Sequence, residues 1–428
     1  MPWSNDLVGV LANDRPIGTS SPAWSWEVAQ EEGTLLWSGE LGVPVGSILS
    51  PLASRTLAVG YDVLEAPLPA GAVRTTPRVL RFAAPSASGL LPVASSIDLP
   101  VNLADGPHEL GADDKYHEQC VSASPLYVYP KLGASEYVFT SGVVDGDVVV
   151  VSSSCGVARW QRVAQDGNIV AESSVASFAS VPGTPDGLAF ASLVRAVDVS
   201  ADGHTAVVLA VRDGWDWAAV LDMFGLPNQP TTNNRFVTVY LDGAGHVLWR
   251  RALTFDDARR VKHVVLAGDV VHLAGEAMRA VERPSDTIET DLWVASFDAS
   301  TGTLLRERIL DIDADDLTDA VVADPRGGII VGLRAGAVQV DTGSIVSFPD
   351  VVLVALDSNL EERGRLRFGS PRSDAVSRLS FTKAGRLLVS GQWDGPITHT
   401  DEAEWDFGGF WTSLPLDGWT SLSVTPAP

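Results

Sequence analysis

Asp350–Gly395, DVVLVALDSNLEERGRLRFGSPRSDAVSRLSFTKAGRLLVSGQWDG, decides the fold, because the stretch before it has the same layout. Displaced by 59 residues, Asp350 falls on Asp291, Asp357 on Asp298, Asp374 on Asp315, Gly391 on Gly332 and Gly395 on Gly336, and apolar runs such as VVLVAL and LWVASF stand between them in both copies. Such self-similarity is an internal repeat. Within each copy, VVLVALD and LWVASFD read as strands entering tight turns, since Val, Leu and aromatic residues run up to turn formers such as Asp298-Ala-Ser-Thr-Gly302. Gly364–Phe368, Val376–Thr382 and Arg386–Ser390 supply three further short strands. A four-stranded antiparallel meander cannot bury both of its faces alone, so the units must stack, and a closed ring of them is a β-propeller.

Outward from this repeat, FVTVYLDGAGHVLWRRAL and VKHVVLAGDVVHLAG form a further copy, and weaker copies extend back to Trp24. The spacing places repeats near 24–76, 77–154, 155–234, 235–290, 291–349 and 350–408. Phe410–Leu416 and Trp419–Val424 give half a unit at the end of the chain, and Asp6–Ala12 with Pro16–Thr19 can supply the missing half. The expectation is therefore an all-β fold: one domain over 1–428, a seven-bladed β-propeller of four-stranded antiparallel blades. Its last blade would be closed by both termini, from 409–428 plus 1–23, with six or eight blades as the alternatives.

SFDASTGTLLRE and YLDGAGHVLWRR resemble the repeats of pyrroloquinoline-quinone-type propellers, and the last two full copies resemble the bacterial β-propeller repeats of the SBBP type. The likeness covers about 235–395. It implies a fold and little chemistry, because propellers with such repeats include redox enzymes, assembly scaffolds and surface proteins.

Composition narrows the partners. A formal net charge of −24 disfavours nucleic acid, whose phosphates need cationic contacts, and suits cations such as Ca²⁺. No apolar run approaches the eighteen or more residues of a membrane span, and the opening Met1-Pro-Trp-Ser-Asn-Asp has neither the basic nor the apolar region of a secretory signal. The sequence lacks G-x-S-x-G, H-E-x-x-H, C-x-x-C and Walker patterns, so the common hydrolase, zinc-protease, redox and nucleotide signatures are missing.

In a meander the turns alternate ends, so the second-to-third-strand loop and the link to the next blade share one face. On the repeat boundaries above, Pro100–Ser135 and Ser173–Ser192 are second-to-third loops, whereas 215–234, 276–290, 336–349 and 395–409 are inter-blade links. Any site is expected on that long-loop face. Its candidate binding residues are Asp113 and His117 in Asp113-Asp-Lys-Tyr-His117-Glu118, a mix suited to metal or proton chemistry, and Trp215, Trp217, Trp393 and His399, suited to stacking. Each also has a plain structural reading as a solvated or tucked-in side chain. Asp311, Asp313 and Asp315 are spaced like the start of a calcium loop, although Asp316 stands where an EF-hand needs Gly and Val322 where it needs Glu. A solvated acidic loop is the plain alternative.

Cys120 and Cys155 fall on the same face of adjacent repeats, which makes a disulfide feasible and with it an extracytoplasmic location, periplasm or cell surface. Closing that loop would stabilise by about 4 kcal/mol in the chain-entropy account. Two reduced thiols in a cytoplasmic protein are the alternative. The functional expectation is a non-catalytic bacterial interaction module for a protein or glycan, without cofactor other than Ca²⁺. A carbohydrate-active hydrolase or lyase with carboxylates in the axial pocket is the second reading, because such residues are scattered over blades and leave no local motif.

Overall fold

The computed structural model describes residues 2–4, 7–14, 23–30, 35–41, 49–51, 56–59, 63–64, 74–75, 78–82, 93–98, 137–154, 157–176, 193–210, 234–255, 258–280, 288–313, 316–341, 344–347, 350–369, 374–396, 405–416, 419 and 422–424, apart from 145, 165, 337 and 383. Side chains are described within 144–175, 194–209, 236–278, 290–336, 350–391 and 410–419. Among the described residues no helix is long and apolar enough to cross a membrane. The chain forms two compact units, one of Leu41–Asp256 and one of Met1–Glu40 with Asp257–Pro428.

Both units are built from consecutive antiparallel meanders. Sheet 1, at the start of the chain, holds β1 (Pro2–Ser4), β2 (Leu7–Asp14), β3 (Ala23–Gln30) and β4 (Leu35–Leu41). In the unit 41–256, sheet 2 holds β5 (Leu49–Pro51), β6 (Thr56–Val59), β9 (Arg78–Phe82) and β10 (Val93–Asp98), with a small hairpin of β7 (Val63–Leu64) and β8 (Arg74–Thr75) in its middle connection. Sheet 3 follows with β11 (Tyr137–Val144), β12 (Asp147–Ser154), β13 (Val157–Val163) and β14 (Ile169–Ala176), and sheet 4 with β15 (Leu193–Val199), β16 (Thr205–Ala210), β17 (Asn234–Leu241) and β18 (Val247–Phe255).

The other unit continues with sheet 5, β19 (Ala258–Ala267), β20 (Val270–Ala280), β21 (Ile288–Asp298) and β22 (Leu304–Leu310). Sheet 6 has β23 (Asp316–Ala323), β24 (Ile329–Ala335), β27 (Asp350–Leu356) and β28 (Glu362–Phe368), and between its middle strands stands a hairpin of β25 (Val338–Asp341) and β26 (Ser344–Ser347). Sheet 7 has β29 (Asp374–Phe381), β30 (Leu387–Pro396) and β31 (Trp405–Leu414), while β32 (Leu422–Val424) joins sheet 6 as a parallel fifth strand beside β28.

The sheets are two strands out of phase with the expected repeats. VVLVAL and LWVASFD, which open the repeats at 350 and 291, are third strands: β27 pairs with β24 and β21 with β20. The short links 256–257, 311–315 and 369–373 carry the chain from sheet to sheet, and 281–287, 336–349 and 397–404 are middle connections inside a sheet. In the other unit 99–136 and 177–192 pass between sheets, and 211–233 stays within one. A tandem repeat has no intrinsic start, so its period leaves the sheet boundary undetermined. Because strand direction alternates, a two-strand shift exchanges the two classes of connection and leaves both at the same end of the strands. These connections thus share one edge within each unit, while 83–92, between β9 and β10, lies at the opposite edge of sheet 2.

The opposite edge is closed by tight turns such as Ser200–His204, Asp242–His246, Asp298–Thr303 and Asp357–Glu361. The aspartates that lead three of them, Asp242, Asp298 and Asp357, are the punctuation seen in the sequence. Asp242 Oδ1 accepts the N–H groups of Ala244 (2.9 Å) and His246 (2.8 Å), and Asp357 Oδ1 those of Asn359 (2.8 Å) and Glu361 (2.9 Å). A short carboxylate that bonds the backbone just ahead of it stabilises a turn without a helix.

Burial follows strand position. Nearly every residue of β24 and β27 is buried, β23 and β29 alternate, and β22 is mostly exposed. Middle strands covered on both faces read as continuous apolar runs, which is why they dominate the sequence signal. Sheets 3 and 4 pack through Val149, Val151 and Trp160 against Val207, Leu209 and Val239. Sheets 5 and 6 pack through Val265, Leu292 and Val294 against Val331, Leu333 and Val354, and sheets 6 and 7 through Ile330, Leu353 and Ala355 against Val376, Leu387 and Val389. The first strands of sheets 3 to 7 each carry a β-bulge, at Val138/Thr140, Val194/Ala196, Val261/His263, Thr318/Ala320 and Val376/Arg378. A bulge kept at one place in successive sheets is a designed feature, one that increases local twist.

Among the described residues the termini do not share a sheet, contrary to the expectation from 409–428 plus 1–23. Strand β2 pairs with β1 and β3, while β31 pairs with β30. The C-terminal segment turns onto sheet 6 instead. Trp419 is buried against Val351 and Leu366, its Nε1–H donates to Pro415 O at 2.7 Å, and Arg326 Nη1 donates to Leu416 O at 2.8 Å. Gly364 makes room for it, since a Cβ there would lie 1.9 Å from Trp419 O. The half-repeat at the chain end thus buries its tryptophan on the sheet already formed, and does not wait for a partner from the other end.

Candidate cation site at the long-connection edge

Three carboxylates converge where sheet 5 meets sheet 6. Asp291 lies on the third strand of sheet 5, opposite Ala277. Asp311 follows the last strand of that sheet, and Asp316 opens the first strand of sheet 6. One carboxylate oxygen from each lies within 4.8 Å of the other two. Asp291 is 4% exposed and Asp316 fully buried, whereas Asp311 is open to solvent. The three enter from different elements because the link 311–315 is short, so the end of β22 and the start of β23 stay close to the neighbouring third strand.

The oxygens of Asp316 are unequal. Its Oδ2 accepts the N–H of Ile312 (2.8 Å) and more weakly that of Asp313 (3.4 Å), tying the link down, and its Oδ1 is buried with no hydrogen-bond partner. A buried ionised carboxylate is costly unless it is paired. Burial therefore pushes the Asp316 carboxyl up to about 7, against the lowering effect of the two backbone N–H groups, and the charges of Asp291 and Asp313 add to the rise. Asp313 itself turns to Arg367, which also approaches Asp350 at 3.5 Å.

The same corner recurs between sheets 6 and 7 with one carboxylate fewer. Asp350 takes the place of Asp291, while Gly369 takes that of Asp311 and Asp374 that of Asp316, a displacement of 58 that corrects by one residue the sequence pairing of Asp374 with Asp315. A Cβ on Gly369 would lie 2.4 Å from Asp350 Oδ1 and 2.9 Å from Asp374 Oδ2, so the two acids crowd a position where no side chain fits.

A second group of charges lies along the bulged first strands. Lys262 in the sheet 5 bulge pairs with Glu276, which is 1% exposed, and reaches Thr318 O at 3.4 Å. Asp319 in the sheet 6 bulge receives Arg334 Nε at 2.8 Å. Burial raises the Asp319 carboxyl even though Arg334 and Lys262 both work to lower it. Two complementary pairs in contact with their partners form a structural network that ties sheet 5 to sheet 6, reinforced by the Thr318 hydroxyl donating to Gly275 O at 2.9 Å.

Of the residues singled out in the sequence, the structure brings Asp311 into the cluster and turns Asp313 away to Arg367. Asp315, Asp113, His117, Trp215, Trp217, His399, Cys120 and Cys155 lie outside the described residues. Trp393 is placed by its backbone alone, on β30 opposite Asp374 and Gly408. Asp291 and Asp316 were missed as members of this cluster. The available signal was the repeat itself: Asp291 and Asp350 are aligned acids at the start of buried strands, where a carboxylate has no packing role.

No known family profile matches the sequence, and no curated protein matches it either. Among solved structures, the chain is similar to a candidate 6-phosphogluconolactonase from Bacteroides fragilis, 14% identical with TM-score 0.46, over 96% of each chain. It is also similar to the β-propeller domain of the Trilobed protease from Pyrococcus furiosus, 8% identical with TM-score 0.42, over 97% of this chain and 93% of that one. An apocarotenoid oxygenase from Synechocystis is 11% identical with TM-score 0.43, over 97% and 94%.

Proposed function

We propose that the protein is a non-catalytic β-propeller binding module, extracytoplasmic and seven-bladed, that presents its long-connection edge to a protein or glycan. The observation that carries this reading is the asymmetry of the connections: in sheets 3 to 7 tight hydrogen-bonded turns close one edge, and the longer connections 177–192, 211–233, 281–287, 336–349 and 397–404 are at the other. Binding residues concentrate on variable loops held by a rigid scaffold. Among the described residues, seven consecutive sheets of three to five strands, with sheets 3 and 4 and sheets 5 to 7 packed face to face, support the blade number. Among the described residues, burial leaves Asp316 as the carboxyl pushed up to about 7, yet it is fully buried, and a general acid must reach the bond it protonates.

The test is a glycan and peptide array probed with the wild type and with a variant in which 336–349 is replaced by Asn-Gly, a turn that the opposed pair Ala335–Asp350 can accept. Binding by the wild type that weakens in the variant is expected, with no reducing sugar or unsaturated product released. Turnover of a polysaccharide would establish the hydrolase or lyase reading instead.

A further inference from the structure

We propose that Asp291, Asp311 and Asp316 form a calcium site that fastens sheet 5 to sheet 6 at the long-connection edge. Two independent features point to it. The ligand oxygens all lie within 4.8 Å of one another, and two oxygens on opposite sides of one Ca²⁺, each at 2.3–2.6 Å, are about 5 Å apart. One ion between them therefore reaches all three. The second feature is Asp316 Oδ1, an oxygen of the same carboxylate that is wholly buried and has no hydrogen-bond partner, while Oδ2 is held by the backbone of the link. Folding has removed this oxygen from water without supplying a proton donor, and a cation is the partner it lacks.

The donor set selects the ion. Three carboxylates with neither imidazole nor thiolate favour a hard cation over zinc or copper. Ca²⁺ accepts six to eight oxygens in irregular arrangements and completes its shell with water, which suits one exposed and two buried carboxylates; Mg²⁺ demands near-octahedral geometry and gives up its water reluctantly. The corner between sheets 6 and 7 is an internal comparison. With Gly369 where Asp311 stands, it keeps only Asp350 and Asp374, and Arg367 supplies positive charge at 3.5 Å from Asp350. The ligand set also differs from a spacing-based reading of 311–315: Asp313 is engaged by Arg367, and Asp291 comes from a different sheet strand.

Full-length protein stripped with EDTA is titrated with CaCl₂ by calorimetry up to about 10 mM, above the range of weak extracellular calcium modules. One ion per chain is expected, and calcium at about a hundred times its Kd should raise the Tm by roughly 3 °C. Asp311→Asn changes an exposed side chain, so the protein should stay folded and lose at least about tenfold in affinity, equivalent to about 1.4 kcal/mol. Asp313→Asn should leave the affinity nearly unchanged. The absence of heat and of a Tm shift at the highest calcium concentration would overturn the proposal, as would binding indifferent to Asp311→Asn. Mg²⁺ binding as tightly as Ca²⁺ would overturn the choice of ion.

Discussion

Replacing Gly245 by alanine tests whether a turn glycine is set by the ring beneath it. Gly245 has φ +86°, and a Cβ there would lie 2.5 Å from Trp160 Cε3 and 2.6 Å from Cζ3. Trp160 cannot retreat easily. It is completely buried, and its Nε1–H donates to Thr205 Oγ1 at 2.8 Å. Two costs add. The left-handed backbone costs about 1–2 kcal/mol for any residue with a Cβ, and overfilling a packed core about 1–3 kcal/mol. Gly245→Ala should therefore lose about 2–5 kcal/mol in urea unfolding followed by far-ultraviolet circular dichroism. The two terms separate in a Trp160→Leu background, itself destabilised by about 3 kcal/mol. There the added methyl meets no ring, so only the backbone term should remain, and the coupling between the two substitutions should be about 1–3 kcal/mol. Additivity within about 0.5 kcal/mol would refute the reasoning, because independent sites add to that precision.

His272, 2% exposed and hydrogen-bonded to the Ser296 hydroxyl at 2.8 Å, is pushed down to about 4 by burial, so the unfolded chain binds the extra proton between about pH 4 and 6.5. Its contribution is complete above 6.5 and falls by about 3 kcal/mol on acidification to pH 4. Asp316, raised to about 7, acts in the opposite sense, stabilising at low pH and losing that contribution as pH rises through 7. The difference between wild type and His272→Gln isolates the histidine: their stability gap should narrow between pH 7 and 4.5, and a constant gap would count against a buried neutral ring. Gly364→Ala should cost about 1–3 kcal/mol and expose the C-terminal segment to carboxypeptidase, because Trp419 O blocks the new methyl; Gly385→Ala, with φ +78° and nothing within 4 Å of its Cβ, should cost only the backbone term. Thiol titration of unreduced, denatured protein should find no free cysteine if Cys120 and Cys155 are bonded, and two free thiols would remove the support for an oxidising compartment.

The strands of 235–395 could be read from sequence because their middle members, LWVASFD and VVLVAL, are buried on both faces and so show unbroken apolar runs. Turn positions were equally plain, since Asp298 and Asp357 cap backbone N–H groups directly ahead of them. Sheet phase was hidden: the same period results whether the sheet starts at Asp316 or Asp291. The half-unit at 410–424 suggested a partner at the other end of the chain, but a buried tryptophan and a glycine on β28 settle it locally. At the cluster, spacing pointed to Asp311 and also to Asp313, which is paired with Arg367. Asp291 was out of reach for any local motif, because its nearness to Asp316 is created by one sheet packing on the next.

The offset between repeat and sheet has an evolutionary consequence. Each sequence copy from 235 onward gives two strands to one sheet and two to the following one. Removing 291–349 would leave β19 and β20 running straight into β27 and β28, again an up-and-down set of four. Recombination between copies therefore does not have to find a sheet boundary to yield a pairable product; it needs only to keep the period. What such an exchange would break is chemical and not topological. The join at 290/350 would bring Asp350 into the place of Asp291 and remove Asp311 and Asp316 together, so the acidic corner would be lost while the meander survived.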